Sequence, residues 1–196
     1  DMRGGIMVVG TYAAVPGELV DGTVVVGLDG TFSGSGTVLG SLFRVVEGGT
    51  LAPGSSPGRL IIEGDLVIED GGTLQIEIAG LDGALHDLID VGGNVVIGAG
   101  AVLDLRFLDG FAPDAGDLVD FISYGGSVTG GFASVRVSGL ADGWDYGIGL
   151  TASGEFRLTS LSDAVAGDVP APATLTLMLA AVGAIGAARQ RRRTAA

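Results

Sequence analysis

Between Gly22 and about Leu161 the apolar residues either alternate with polar ones or gather in short runs, including "TVVVGL", "GRLIIEGDLVIEDGGTLQIEIAG", "NVVIGAGAVLDLRFL", "DLVDFISY", "ASVRVSGL" and "EFRLTSL". In "TLQIEIA" Leu74, Ile76 and Ile78 fall on one side and Gln75 and Glu77 on the other, the period of two that marks a half-buried strand. No comparable helical period occurs before Ala173. The runs are punctuated by Asp29-Gly30, Asp70-Gly71-Gly72, Asp82-Gly83, Asp109-Gly110 and Asp142-Gly143, residues that tolerate positive φ in tight turns. The pattern predicts many short strands at close spacing.

The strands are written in repeats. "GDLVIEDGGTLQIEIAG" (64–80) overlays "GNVVIGAGAVLDLRFLDG" (93–110) as strand, Gly-containing turn, strand, and "GTVLGSLFRVVEGGTLAPG" (36–54) has a related rhythm. Repetition at roughly 20 to 30 residues suits stacked coils, none of which buries its apolar face alone. The expected fold is all-β, a right-handed parallel β-solenoid (β-helix) over residues 22–162 with residues 1–21 as a preceding segment or first coil. A β-sandwich is the alternative, because Asp-Gly turns between alternating strands also build antiparallel hairpins.

One stretch, "APGSSPG", reads as a rigid corner. Pro53 and Pro57 fix φ and donate nothing to a ladder, Gly54 and Gly58 reach angles barred to other residues, and Ser55 and Ser56 offer hydroxyls to local backbone groups. A phosphate-cradling loop would need a following Lys and a helix, and neither is present.

Charge narrows the function. The net charge is -13, all ten basic residues are arginines, and four of them are Arg189, Arg191, Arg192 and Arg193. The body therefore sets six arginines against 23 acids, which repels phosphate backbones and argues against nucleic-acid binding. The absence of cysteine excludes disulfides, thiol nucleophiles and Cys-based metal sites. No basic region followed by a long apolar segment opens the chain, so no complete secretory leader is visible in it.

The end of the chain differs from the body. After Pro170 and Pro172, residues 173–188 form sixteen uncharged, mostly apolar positions, followed by the arginines. As a helix this run rises about 24 Å, slightly short of a ~30 Å hydrocarbon core, so it would span with thinning or snorkelling arginines. The basic residues behind it place that end in the cytoplasm and the acidic body outside. Residues 163–172 read as a linker, 173–188 as a transmembrane or sorting helix and 189–196 as a basic tail.

Catalytic signals are weak. His86 is the only histidine, beside Asp87 in "ALHDLIDV", and no G-x-S-x-G elbow accompanies it. Carboxylates are plentiful, but most lie in Asp-Gly turns or at outward strand positions. There is no lysine, which removes Schiff-base chemistry. Trp144 and Tyr146 in "DGWDYGIGL" are candidates for a small sugar-stacking platform, although a single Trp in a strand-rich body more often belongs to the core. The nonapeptide calcium repeat is absent, and no cofactor or metal is expected.

Two stretches resemble known families. "GGTLAPGSSPGRLIIEGDLVIEDGGTLQIEIAG" followed by "HDLIDVGGNVVIGAGAVLDLRF" resembles the β-helical repeats of autotransporter passengers and related bacterial surface proteins. The matching residues are Pro53, Gly54, Ser56, Pro57 and Gly58, then Asp87, Ile89, Val91 and Gly93, with "DAGDLVDFISYGGSVTGGF" and its Phe132 as the end of such a coil. The tripartite ending is similar to the PEP-CTERM sorting signal, with Val169, Pro170, Ala171, Pro172 and Ala173 in place and Ala171 where the family usually has glutamate. That resemblance implies recognition by an exosortase-type membrane protease near Pro170 to Pro172, membrane anchoring before removal of the run, and export to the surface or a polysaccharide matrix. The resulting expectation is a non-enzymatic exported protein of the cell surface, extracellular matrix or biofilm. A carbohydrate-binding or carbohydrate-active β-helix protein is the alternative.

Overall fold

A computed structural model describes residues 7–10, 13–16, 22–27, 29–54, 57–151, 155–166 and 173–176. Nineteen strands and no helix occur among them. β1 (Met7–Gly10) and β2 (Ala13–Pro16) form a hairpin, and three-strand coils follow. The first comprises β3 (Thr23–Val26), β4 (Thr31–Gly34) and β5 (Gly36–Val38). The second comprises β6 (Leu42–Val45), β7 (Thr50–Pro53) and β8 (Arg59–Ile62), and the third β9 (Asp65–Ile68), β10 (Thr73–Ile78) and β11 (Leu88–Val91). The fourth holds β12 (Val95–Ile97), β13 (Val102–Phe107) and β14 (Leu118–Tyr124). A last partial coil, β15 (Val128–Gly130) and β16 (Ser134–Ser138), is followed by β17 (Tyr146–Leu150), β18 (Glu155–Ser160) and β19 (Ala173–Thr176).

Each coil contributes one strand to each of three sheets, in the orders β15-β12-β9-β6-β3-β1-β2, β19-β16-β13-β10-β7-β4 and β17-β18-β14-β11-β8-β5. Pairing between successive coils is parallel, so the fold is a β-solenoid and not a sandwich. The register shows coils that lengthen along the chain: 19 residues from Thr23 to Leu42, 23 from Leu42 to Asp65, 29 from Leu66 to Val95 and 33 from Val95 to Val128. The overlay of 64–80 on 93–110 is the structural register, since Leu66 pairs with Val95 and Thr73 with Val102. Among the described residues antiparallel strands occur only at the ends: β2 on β1, β18 and β17 beyond β14, and β19 on β16.

The period of two becomes a set of stacked apolar columns. Val24, Phe43, Leu66 and Val95 lie one above another, as do Leu51, Leu74, Leu103 and Val135, and all are buried. Burying such side chains contributes about 1.5–3 kcal/mol each, and none of it is realised by one coil alone. Phe132 closes the column end, buried and edge-on to Phe156 with ring centroids 6.0 Å apart.

The start of the C-terminal run departs from the expected helix, and residues 177–188 lie outside the described residues. Of residues 173–188, the structure describes Ala173–Thr176, and these form β19, antiparallel to β16. Two causes act together: two β-branched threonines alternate with leucine in "ATLT", a strand-compatible pattern, and the distant edge of β16 would otherwise be unpaired. Among the described residues no helix is long and apolar enough to cross a membrane.

Candidate functional site

The residues singled out by sequence fall into three places. The first is the Pro-Gly corner between β7 and β8. Gly54 has φ +85°, and its amide donates to the Gly34 carbonyl at 2.8 Å. A Cβ on Gly54 would lie 2.4 Å from the Gly58 nitrogen, and one on Gly58 would lie 2.3 Å from the Gly54 Cα. The two glycines therefore cross backbone to backbone, with Pro53 ending β7 and Pro57 on the way to β8.

This corner is tied to Asp87, which the repeat pattern places 29 residues from Gly58. The Gly58 amide donates to Asp87 Oδ1 at 2.7 Å and the Glu77 amide to Asp87 Oδ2 at 2.9 Å. Asp87 has no exposed surface. Burial pushes its carboxyl up from 3.8 to about 6; the amides of Glu77 and Gly58 pull the other way, and the Glu77 charge adds to the rise. Ile89 and Val91 continue the inward face, while the Gly93 amide donates to the Gly64 carbonyl at 3.0 Å. "D-x-I-x-V-x-G" is thus a buried acceptor, two core residues and a close backbone approach.

His86 is buried next to this seam. Its Nδ1 faces the Gly80 carbonyl at 3.3 Å and its Nε2 the Asp120 carbonyl at 3.2 Å. The ring lies between the loop after β10 and β14 in the next coil, and its N–H donates to one of these two carbonyls. The Asp120 carboxylate meets Arg157 through two bonds of 2.6 and 2.7 Å. Further acids serve the same stitching: the Asn94 amide donates to Asp65 Oδ1 at 2.7 Å, the Ser127 amide to Asn94 Oδ1 at 3.0 Å and the Gly100 amide to Asp70 Oδ1 at 2.8 Å. Sequence reasoning missed this ladder, although its signal is present as Gly64-Asp65-Leu66, Gly93-Asn94-Val95 and Gly126-Ser127-Val128. No group of three or more His, Asp or Glu able to hold a metal occurs among the described residues.

The second place is the aromatic end cap. Trp144 stacks on Tyr146 at 4.7 Å between centroids, meets Phe107 edge-on at 5.1 Å, and donates from Nε1 to Ser160 Oγ at 2.8 Å. One face of Trp144 is thus taken by Tyr146. The Tyr146 hydroxyl is buried, which raises its pKa, and it has no hydrogen-bond partner among the described residues. The adjoining pocket, about 40 Å³, is lined by Val137, Leu140 and the 141–144 turn. The structure brings Trp144 and Tyr146 together, stacked on each other and half-buried at the edge of the core.

The third place is the C terminus. Val169, Pro170, Ala171, Pro172 and Arg189, Arg191, Arg192, Arg193 lie outside the described residues. Their surroundings are described on both sides of the Pro-Ala-Pro motif. Leu140 bridges Ala166, the Ala141 amide donates to the Val165 carbonyl at 2.7 Å, and Val137 pairs with Ala173. Val165 is 66% exposed just before the motif.

Comparison with known proteins bears on this third place. Residues 168–193 match the PEP-CTERM protein-sorting motif. No protein of curated function matches the chain. The C terminus is therefore a sorting signal of the kind processed by an exosortase, a membrane protein, and the signal implies export to the cell envelope or surface.

Proposed function

We propose that the protein is a non-enzymatic structural or adhesive component of the cell surface or extracellular matrix, exported as an acidic β-solenoid and released by cleavage near Pro170–Pro172. The observation that carries this reading is the sorting motif over residues 168–193, joined to a body with a net excess of acid. The apolar run of 173–188 anchors the chain in the inner membrane before processing, with Arg189–Arg193 on the cytoplasmic side. Ala171 stands between Pro170 and Pro172 where the signal usually has glutamate.

The architecture supports a structural role. Asp65, Asp70, Asp87 and Asp120 spend their oxygens on backbone amides or on Arg157, and both His86 nitrogens face carbonyls. Four described arginines, 44, 59, 106 and 157, pair with acids. The resulting surface suits a hydrated exopolysaccharide environment. The likeness of the Pro-Gly corner and its following repeats to those of bacterial surface proteins points the same way.

The test compares the full chain with one lacking residues 189–193 in a host that has the processing enzyme. The full chain should reach the surface or medium, and the truncated one should remain unprocessed. Equal export and processing of the two would overturn the assignment.

A further inference from the structure

The residues that open the sorting run are also the last strand of a sheet. β19 pairs antiparallel with β16 in the register Ser134↔Thr176, Val135↔Leu175, Arg136↔Thr174 and Val137↔Ala173. The Val102 amide donates to the Gly72 carbonyl on the β10 side, so by alternation Leu103 and Leu105 face β16. Their register partners Val135 and Val137 then turn their amides to β19, while those of Ser134 and Arg136 face β13. Without β19 the Val135 and Val137 amides lie on an open edge.

Length makes the two uses incompatible. The run of 173–188 rises about 24 Å as a helix, already at the lower limit for a bilayer. With Ala173–Thr176 held in the sheet, only residues 177–188 remain, about 18 Å as a helix, against a core of ~30 Å. On either side of the Pro-Ala-Pro motif, Ala166 bridges Leu140 and Ala173 pairs with Val137.

We infer that docking of Ala173–Thr176 on β16 is an autoinhibitory contact that withholds the sorting run from the membrane, so that the β16-bound and membrane-inserted states exclude each other. This rests on the sorting reading above and adds its control: a chain that folds before engaging the membrane is held off it until β19 is released.

The test is a reversible lock on the full chain. The protein has no cysteine, so Arg136→Cys/Thr174→Cys, at registered partners whose β16 amide faces away from β19, introduces the only thiols. Oxidation should yield an intramolecular disulfide. Flotation with phosphatidylethanolamine–phosphatidylglycerol vesicles should then recover at least tenfold less oxidised than dithiothreitol-reduced protein. Ser134→Cys/Thr176→Cys, the next such pair, repeats the measurement if the first variant does not fold. Failure of the disulfide to form in a folded variant, or equal flotation of oxidised and reduced chains, overturns the inference. No protease takes part, so absence of processing in cells alongside an intact lock would refute the sorting reading alone.

Discussion

Replacing Asp87 by Ala tests the buried seam between the third coil and the Pro-Gly corner. The substitution strips the acceptor from two amides, Gly58 at 2.7 Å and Glu77 at 2.9 Å, in a site with no exposed surface. A buried unsatisfied amide costs about 1–3 kcal/mol, so the loss is about 2–6 kcal/mol where Asp87 is protonated. Ionisation changes that figure. The folded carboxyl titrates near 6, above its ordinary 3.8, so its stabilising contribution is full below 3.8 and is lost as pH rises through 6. A shift of that size corresponds to at most about 3 kcal/mol at 1.36 kcal/mol per pH unit. The cost of Asp87→Ala should therefore be greatest near pH 4 and fall by up to about 3 kcal/mol by pH 7. Urea unfolding of both chains at intervals between pH 4 and 7 measures it, and the difference between them cancels the general repulsion of an acidic body. A cost that grows with pH would refute the reasoning, because it would mean that the two amides stabilise the carboxylate more than burial penalises it.

Other substitutions probe the remaining features. Gly54→Ala should destabilise by at least about 2 kcal/mol in denaturant titration, since it combines φ +85° with a Cβ 2.4 Å from the Gly58 nitrogen; Gly83→Ala, with nothing within 4 Å of its Cβ, should stay within about 0.5 kcal/mol of wild type. Leu74→Ala, in a buried column between Leu51 and Leu103, should cost about 2–5 kcal/mol by the same assay. Trp144→Phe removes the bond to Ser160 Oγ and should lower stability by about 1 kcal/mol while leaving retention on exopolysaccharide unchanged; reduced retention by a folded variant would favour a sugar-contact role.

The coil architecture was legible because its cause is repetitive. Leu74, Ile76 and Ile78 declare a strand by alternation, and the overlay of 64–80 on 93–110 declares that strand's neighbour. The Pro-Gly corner was legible for the same kind of reason, as proline and glycine act through their own backbone. What escaped the reading acts between distant residues. Nothing local to Asp87 announces the Gly58 amide 29 residues earlier, and nothing local to His86 announces the Asp120 carbonyl 34 residues later. The Trp144 and Tyr146 rings are visible in sequence, but their stacking and the edge contact with Phe107, 37 residues earlier, are not. At the C terminus apolar length suggested helix throughout 173–188, whereas pairing with the β16 edge, a tertiary effect, makes Ala173–Thr176 a strand.

The central claim is that one chain carries an acidic solenoid as cargo and residues 168–193 as a removable address. Intact-mass spectrometry of the protein recovered from the surface or medium of an exosortase-containing host tests it most directly. The account predicts a C terminus between Val169 and Ala173, with everything beyond it missing, and the full-length mass in the same host lacking the enzyme. Exported protein that retains Arg189–Arg193 in the presence of the enzyme would contradict it.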